Sequence, residues 1–253
     1  MFWTTWQFLT IIPAPVRAPA GLEDLGRSTG LFPVVGLILG LLLFGLDWLL
    51  GLWLPPLLAS ALVVVALIVL TGGVHLDGLI DTCDGFAVKK SKADRLATMR
   101  DSRVGGFGVI GGCSLIVVKC AALAALWGGM RSSGLVLMPA LSRWGMVYAM
   151  VAFPAARRDG MGWTAKQTMG WKGMAVATAF VVVAAVVVLG WWSVPLLAVL
   201  WLFVLGVSRN LSSRFGGLTG DGYGAICELS ETAFVVLLVW MQGLGLDEWL
   251  AFL

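Results

Sequence analysis

Three aspartates, Asp77, Asp81 and Asp84, stand four and three residues apart in the segment GGVHLDGLIDTCDGF. On a helix they share a face about 60° wide and cover about 10 Å of its axis. Like charges so placed repel one another, and no Lys or Arg stands between them. A divalent cation relieves that repulsion. Mg²⁺, or Mn²⁺ in its place, prefers carboxylate oxygens and leaves positions open for substrate phosphates. The competing reading is a solvated helix face; the third Asp and the flanking Gly72, Gly73, Gly78 and Gly85 weigh against it, since glycines let backbone or ligand approach closely. Asp101, in MRDSRVGGFG, is a fourth candidate ligand. Arg100 and Arg103 beside it suit phosphate oxygens, which guanidinium groups bind in bidentate fashion. The glycines that follow, Gly105, Gly106 and Gly108, open a helix whose N-terminus favours an anion.

A second acidic element reads GGLTGDGYGAICELSE. Asp221 sits in a predicted glycine-rich turn, and Glu228 and Glu231 follow at i, i+3 as a helix begins. Acids there can be simple partners of the helix dipole. Two of them entering a bundle after such a turn read better as a second half of the site. His75 is the single histidine; it is a candidate general base or a hydrogen-bonding residue that orients the Asp77 turn. Lys119 and Arg143 fall inside apolar runs, where a charge costs at least ~2.5 kcal/mol and faces a polar cavity or a partner. Both are candidate substrate-binding residues, against structural pairing as the alternative.

The elements that must hold these groups are membrane helices. Of 253 residues 59% are hydrophobic and 12% charged, and the mean hydropathy is +0.94. A soluble domain carries about 25% charged residues, so this chain has too little polar surface for water and the lipid bilayer is its solvent. Seven spans are predicted, at about 31–50, 55–71, 105–127, 134–154, 173–191, 194–208 and 226–246, with a short interfacial helix before Pro13 and Pro15 in place of a cleaved leader. Trp48, Trp53, Trp127, Trp171, Trp191, Trp192, Trp240 and Trp249 fall near the span ends, as an aromatic belt would. The fold class is all-α, a polytopic helical bundle of one membrane domain over 1–253.

Basic residues sort by loop. Arg17, Arg27, Lys89, Lys90, Lys92, Arg95, Arg100, Arg103, Arg157, Arg158, Lys166, Lys172, Arg209 and Arg214 all lie in one alternate set, and Arg131 alone in the other. The positive-inside rule then places the N-terminus and the acidic segments, about 72–108 and 209–231, in the cytoplasm and the C-terminus outside. The basic run from Lys89 to Arg95 reads as inside-loop charge touching anionic lipid. Since the net charge of +3 is distributed by membrane side, it is no sign of nucleic-acid binding. Cys83, Cys113, Cys120 and Cys227 show no paired spacing and read as packed thiols.

Carboxylates, a divalent cation, arginines and glycine-rich turns are the parts of a phosphoryl transfer, in which protein groups mainly position and neutralise charge. No Walker A sequence is present. Gly72 through Gly85, Met99-Arg100-Asp101-Ser102-Arg103 before Gly105, Gly216-Gly217-Leu218-Thr219-Gly220-Asp221 with Gly224-Ala225, Glu228 and Glu231, and Ser142-Arg143-Trp144 together resemble the cobalamin synthase family, the adenosylcobinamide-GDP ribazoletransferases. The likeness runs from FLTIIPAP near the N-terminus to the last helix. It implies an inner-membrane enzyme of the last steps of cobalamin assembly. Such an enzyme joins α-ribazole or its 5′-phosphate to adenosylcobinamide-GDP with Mg²⁺ and releases GMP. It implies Asp77, Asp81, Asp84 and Asp101 as metal ligands, one acid accepting the hydroxyl proton, and Arg100, Arg103 and Arg143 contacting phosphate. Ile11 and Ile12 stand where that pattern leads one to expect a basic residue. A homo-oligomer is left open.

Two rivals belong to other classes. An ion-coupled transporter should carry acids at mid-span and inverted repeats; here the acids cluster at span ends and no repeat is visible. A CDP-alcohol phosphotransferase has a similar acidic spacing, but Phe86-Ala87-Val88-Lys89 follows Gly85 where a D-G-x-x-A-R continuation is expected.

Overall fold

The computed structural model describes residues 1–15, 22–89, 91–158 and 161–246, without the side chains of 22, 23, 161, 162 and 165. Arg17, Lys90 and Trp249 therefore lie outside the described residues, as does the end of the chain. Twelve α-helices make up the described part: α1 Phe2–Leu9, α2 Leu22–Ser28, α3 Phe32–Gly51, α4 Pro56–Leu70, α5 Val74–Ala87, α6 Lys92–Thr98, α7 Gly106–Ala125, α8 Gly128–Ala152, α9 Met161–Thr168, α10 Trp171–Leu189, α11 Ser193–Phe215 and α12 Gly220–Gly243. Each of the seven predicted spans corresponds to one of them: α3, α4, α7, α8, α10, α11 and α12.

Among the described residues five continuous stretches are long and apolar enough to cross a bilayer, and α4 reaches that length only when counted together with α5, with which it forms a bent pair. One of the five, Trp171–Phe215, is 45 residues long and contains both α10 and α11. It folds back on itself. Just before α10, Lys166 donates to the Met150 and Phe153 carbonyls at the end of α8. Just after α11, the Leu218 N–H donates to the Pro154 carbonyl, 2.8 Å away. The two helices thus start and finish at the same face, and the turn between them is made at Gly190, with φ +53°.

Three helices outrun their predicted limits by six residues or more: α8, which starts at Gly128, and two others, for local reasons. α11 continues through Arg209 and Arg214 until Gly216, left-handed at φ +80°, closes it. α12 begins at Gly220, six residues before its predicted start, because Thr219 caps it by accepting the Gly222 N–H at 3.0 Å. Asp221 is therefore in the first helical turn, not in a loop. α4 has only 15 residues, about 22 Å of rise, and ends at Gly72 and Gly73 with φ +65° and +70°. Such angles suit glycine alone. The chain turns by 92° there, so α5 leaves the span and lies across its end.

α8 is the central helix. Gly36 and Gly40 of α3 face it, and a Cβ on either would collide with the Pro139 or Val136 carbonyl oxygen; small residues four apart allow two membrane helices this close an approach. At the end remote from α5, Arg131 of α8 holds Asp47 of α3 in a bidentate pair (Nη2–Oδ1 2.6 Å, Nε–Oδ2 2.8 Å) and also donates to Ser60 Oγ at 3.0 Å. The isolated basic residue of that side also donates to the Leu123 carbonyl of α7, and so clamps four helices together. Trp48, Trp53, Trp127, Trp191 and Trp240 stand exposed at this same end. α1 packs inward through Thr5 and Leu9, stacks Phe8 on Phe32 at 5.8 Å and ends at Thr10, ahead of Pro13. Ile11 follows, with its N–H on the Leu70 carbonyl at 2.9 Å and its side chain exposed.

Candidate active site

The predicted aspartate stripe is on one helix, α5, and that helix is laid against the start of α12. Two glycines make the contact. A Cβ at Gly78 would lie 2.8 Å from the Asp221 carbonyl oxygen, and one at Gly224 would lie 3.0 Å from the His75 carbonyl oxygen. The glycine-rich sequence around Asp221 therefore serves close helix packing as well as the turn before it. Gly78→Val is expected to push α5 off α12 and to lower turnover at least tenfold, since misplacing reacting groups by about 1 Å costs up to ~10²-fold. Turnover by this variant at the parent rate would contradict the packing role.

Asp77 and Asp81 lie towards the open side of α5, Asp77 exposed and Asp81 half-buried. The field at Asp81 is set by partial burial and by its acidic neighbours. Burial acts first, then the charges of Asp77, Asp221 and Asp84, and together they raise its carboxyl to about 6. Asp77, Asp81 and Asp221 thus form one electronegative face drawn from two helices. Among the described residues no three His, Cys, Asp or Glu side chains surround one point. Mg²⁺ commonly binds one or two carboxylates and completes its shell with water and substrate phosphate. The mutually repelling acids of this face fit that mode of binding, which also relieves their repulsion.

Asp84 points elsewhere. Its oxygens accept the Gly105 and Gly108 N–H groups, each at 2.7 Å, so it caps the N-terminus of α7 from α5. The anion predicted for that helix N-terminus is this carboxylate. Asp101 lies on the exposed loop before α7, where Arg103 grips it through Nε at 3.0 Å and Nη2 at 2.7 Å. Those hydrogen bonds hold its carboxyl down to about 2. Arg100 is exposed, and its charge is felt at Asp221.

His75 is on the inner side of α5, 2% exposed. Burial first, then the Arg143 charge, lowers its imidazole to about 3, so the ring is neutral and faces the bundle interior, away from the open acidic face. There it lies within electrostatic reach of Arg143, Glu231 and Lys119, which with Glu228 are gathered in one buried cluster. Lys119 Nζ of α7 donates to Glu228 Oε2 and Glu231 Oε2 of α12, both at 2.6 Å. Arg143 of α8 donates to Glu231 Oε1 and, at 2.9 Å, to Ser142 Oγ. Ser142 in turn donates to Glu231 Oε1 at 3.2 Å. Two cations and two carboxylates balance, and the described hydrogen bonds of these four side chains run among themselves, to Pro139 and Ser142 of α8, and from Cys227 Sγ of α12 to Glu231 at 4.0 Å. The cluster ties α7, α8 and α12 together directly beneath α5.

In the sequence Arg157 and Arg158 stand out only as loop charges. A parallel bridge joins Ala155 to Leu218, with the Ala156 N–H on the Leu218 carbonyl at 2.9 Å. A Cβ at Gly217 would collide with Ala155 and Ala156. This stitch brings Arg157 close enough to act electrostatically on Asp221. On the other flank α5 lines an apolar groove of about 790 Å³ with α7 and α11, through Leu79, Cys83, Phe86, Phe107 and Leu202. Its lining carries no Lys or Arg, so it lacks the groups to handle a phosphate.

The sequence model of the cobalamin-5-phosphate synthase family matches residues 1–239. A relative from Geotalea daltonii, named adenosylcobinamide-GDP ribazoletransferase, is 40% identical over 243 residues, spanning 96% of this chain and 98% of its own. Relatives of the same name from Roseiflexus sp. and Synechococcus elongatus are each 37% identical, spanning 92% and 93% of this chain and 86% and 92% of their own. No solved structure matches the chain significantly. A match over nearly the whole chain, with the acidic, glycine-rich and arginine blocks all inside it, settles the relationship: this chain belongs to the cobalamin-5-phosphate synthase family.

Proposed function

We propose that this chain is an adenosylcobinamide-GDP ribazoletransferase, which joins α-ribazole or α-ribazole 5′-phosphate to the adenosylcobinamide-phosphate group of adenosylcobinamide-GDP and releases GMP. The observation that carries the reading is the acidic face where Asp77 and Asp81 of α5 meet Asp221 of α12 at one end of a membrane bundle. In the reaction the 3′-hydroxyl oxygen of the ribazole forms a bond to the phosphorus attached to cobinamide. The bond from that phosphorus to the bridging oxygen breaks, and GMP departs with the bond's electrons. The hydroxyl proton passes to a carboxylate of the face, Asp77 or Asp81. Mg²⁺, held by the other carboxylate of that pair with Asp221 beside it, would offset negative charge on the diphosphate oxygens. α5 keeps both carboxylates in register by packing on α12. Asp84 aligns α5 with α7, and the buried Lys119–Glu228–Glu231–Arg143 cluster keeps the three supporting helices together.

By the same reading the site lies on the cytoplasmic side of the inner membrane, because the basic residues of the described loops gather at the α5 end. The substrates then reach it from water while the bundle remains in lipid. The test is GMP release by purified, folded protein supplied with adenosylcobinamide-GDP, α-ribazole and Mg²⁺. Release that requires all three is the expected result; no release would overturn the assignment.

A further inference from the structure

The α6 helix and the 154–158 segment enclose a cleft of about 570 Å³, lined by Ala93, Leu96, Ala97, Arg100, Arg157 and Arg158. We propose that this cleft is the subsite for the leaving nucleotide, with its phosphate on the arginines and its base against the α6 wall; the inference rests on the transferase reading above. Four features carry it.

The first is charge. Arg100, Arg157 and Arg158 line one space, and guanidinium groups meet a phosphate with paired N–H groups. The second is that the positions are built by the fold. The Ala155–Leu218 bridge fixes one side, and Arg157 donates through Nη2 to the Leu96 carbonyl of α6 on the other. The third is shape. Ala93, Leu96 and Ala97 fall at i, i+3 and i+4, one face of α6, giving the cleft an apolar wall opposite its arginines. A flat base fits between such a wall and a guanidinium plane, and the volume lies within the usual ~300–1,000 Å³ range of small-ligand sites. The fourth is place. Arg157 and Arg100 both act on Asp221, so the cleft opens beside the acidic face, as a diphosphate bridging the two requires.

A phosphate group here could come from the nucleotide, from α-ribazole 5′-phosphate or from a lipid headgroup, and the experiment separates them. Full-length protein in neutral detergent is titrated with GMP, and steady-state rates are measured against each substrate. Arg158→Gln and Arg100→Gln are expected to weaken GMP binding about 10- to 100-fold each, the range for a charge-assisted hydrogen bond. The KM for adenosylcobinamide-GDP should rise in parallel, while the KM for α-ribazole and the unfolding temperature stay at parent values. Arg157→Lys, which keeps the charge but not the fork, should weaken GMP binding without unfolding the 154–158 segment. GMP affinity within twofold of the parent in all three variants would overturn the proposal. So would a KM change confined to α-ribazole 5′-phosphate, or a loss seen only in binding to phosphatidylglycerol vesicles. If the parent protein turns over but the variants bind GMP normally, the subsite falls and the transferase stands. If the parent protein does not turn over, the transferase falls, while the GMP titration still reads the cleft.

Discussion

Glu231→Gln is expected to destabilise the folded protein by about 3–5 kcal/mol, the usual cost of removing one member of a buried, hydrogen-bonded ion pair. Glu231 is 1% exposed and accepts from Lys119, Ser142 and Arg143. The substitution leaves two buried cations sharing the single carboxylate of Glu228, which reaches Lys119 but makes no described hydrogen bond to Arg143. The penalty comes chiefly from the stranded guanidinium. Glu228→Gln should cost less, because Lys119 keeps its bond to Glu231 at 2.6 Å. Adding Arg143→Met to Glu231→Gln should recover part of the loss, since the stranded charge is then removed with its partner. Denaturant unfolding in detergent would measure all three. A Glu231→Gln protein within 0.5 kcal/mol of the parent, a margin typical of surface substitutions at about that size, would show that the cluster holds nothing together.

The opposite pattern is expected on the other side of α5. Asp77→Asn and Asp81→Asn should each lower turnover about 10²–10³-fold, the effect of deleting one group that stabilises charge in a transition state. Neither should destabilise the protein, because each removes a charge that its neighbours repel. With Mg²⁺ bound as proposed, the stabilisation it confers on the folded state should shrink in both variants. Rate and unfolding temperature measured on the same preparation separate this face from the buried cluster: one should lose activity and keep stability, the other should lose stability first. Parent-like rates in both Asn variants would remove the carboxylates from the mechanism. Asp84→Asn is a different case, since its oxygens hold the Gly105 and Gly108 amides. It should show a loss of α7 capping, about 0.5–2 kcal/mol.

The membrane helices were legible because apolar runs of span length have few other solutions. The helical spacing of Asp77, Asp81 and Asp84 was legible for a similar reason: helix geometry is local, and α5 realises it. The chain also carried the family pattern in contiguous blocks, from Gly72–Gly85 to Gly216–Glu231. Helix ends were less legible. Extra apolar residues do not say where α11 stops; a left-handed Gly216 and a Thr219 cap do.

What the sequence by itself determined is therefore a polytopic helical protein with an acidic segment at a span end and the motifs of one enzyme family. Tertiary structure alone decided how those acids divide. A carboxylate's role depends on which donors reach it, and those donors come from other helices. Amides of α7 claimed Asp84, Arg103 claimed Asp101, and Lys119 and Arg143 claimed Glu228 and Glu231. Asp77 and Asp81 were left facing Asp221 across a contact that only Gly78 and Gly224 permit. Pairing across 88 to 112 residues of sequence has no local signature, because neither partner's neighbours in the chain record which helix will pack against it.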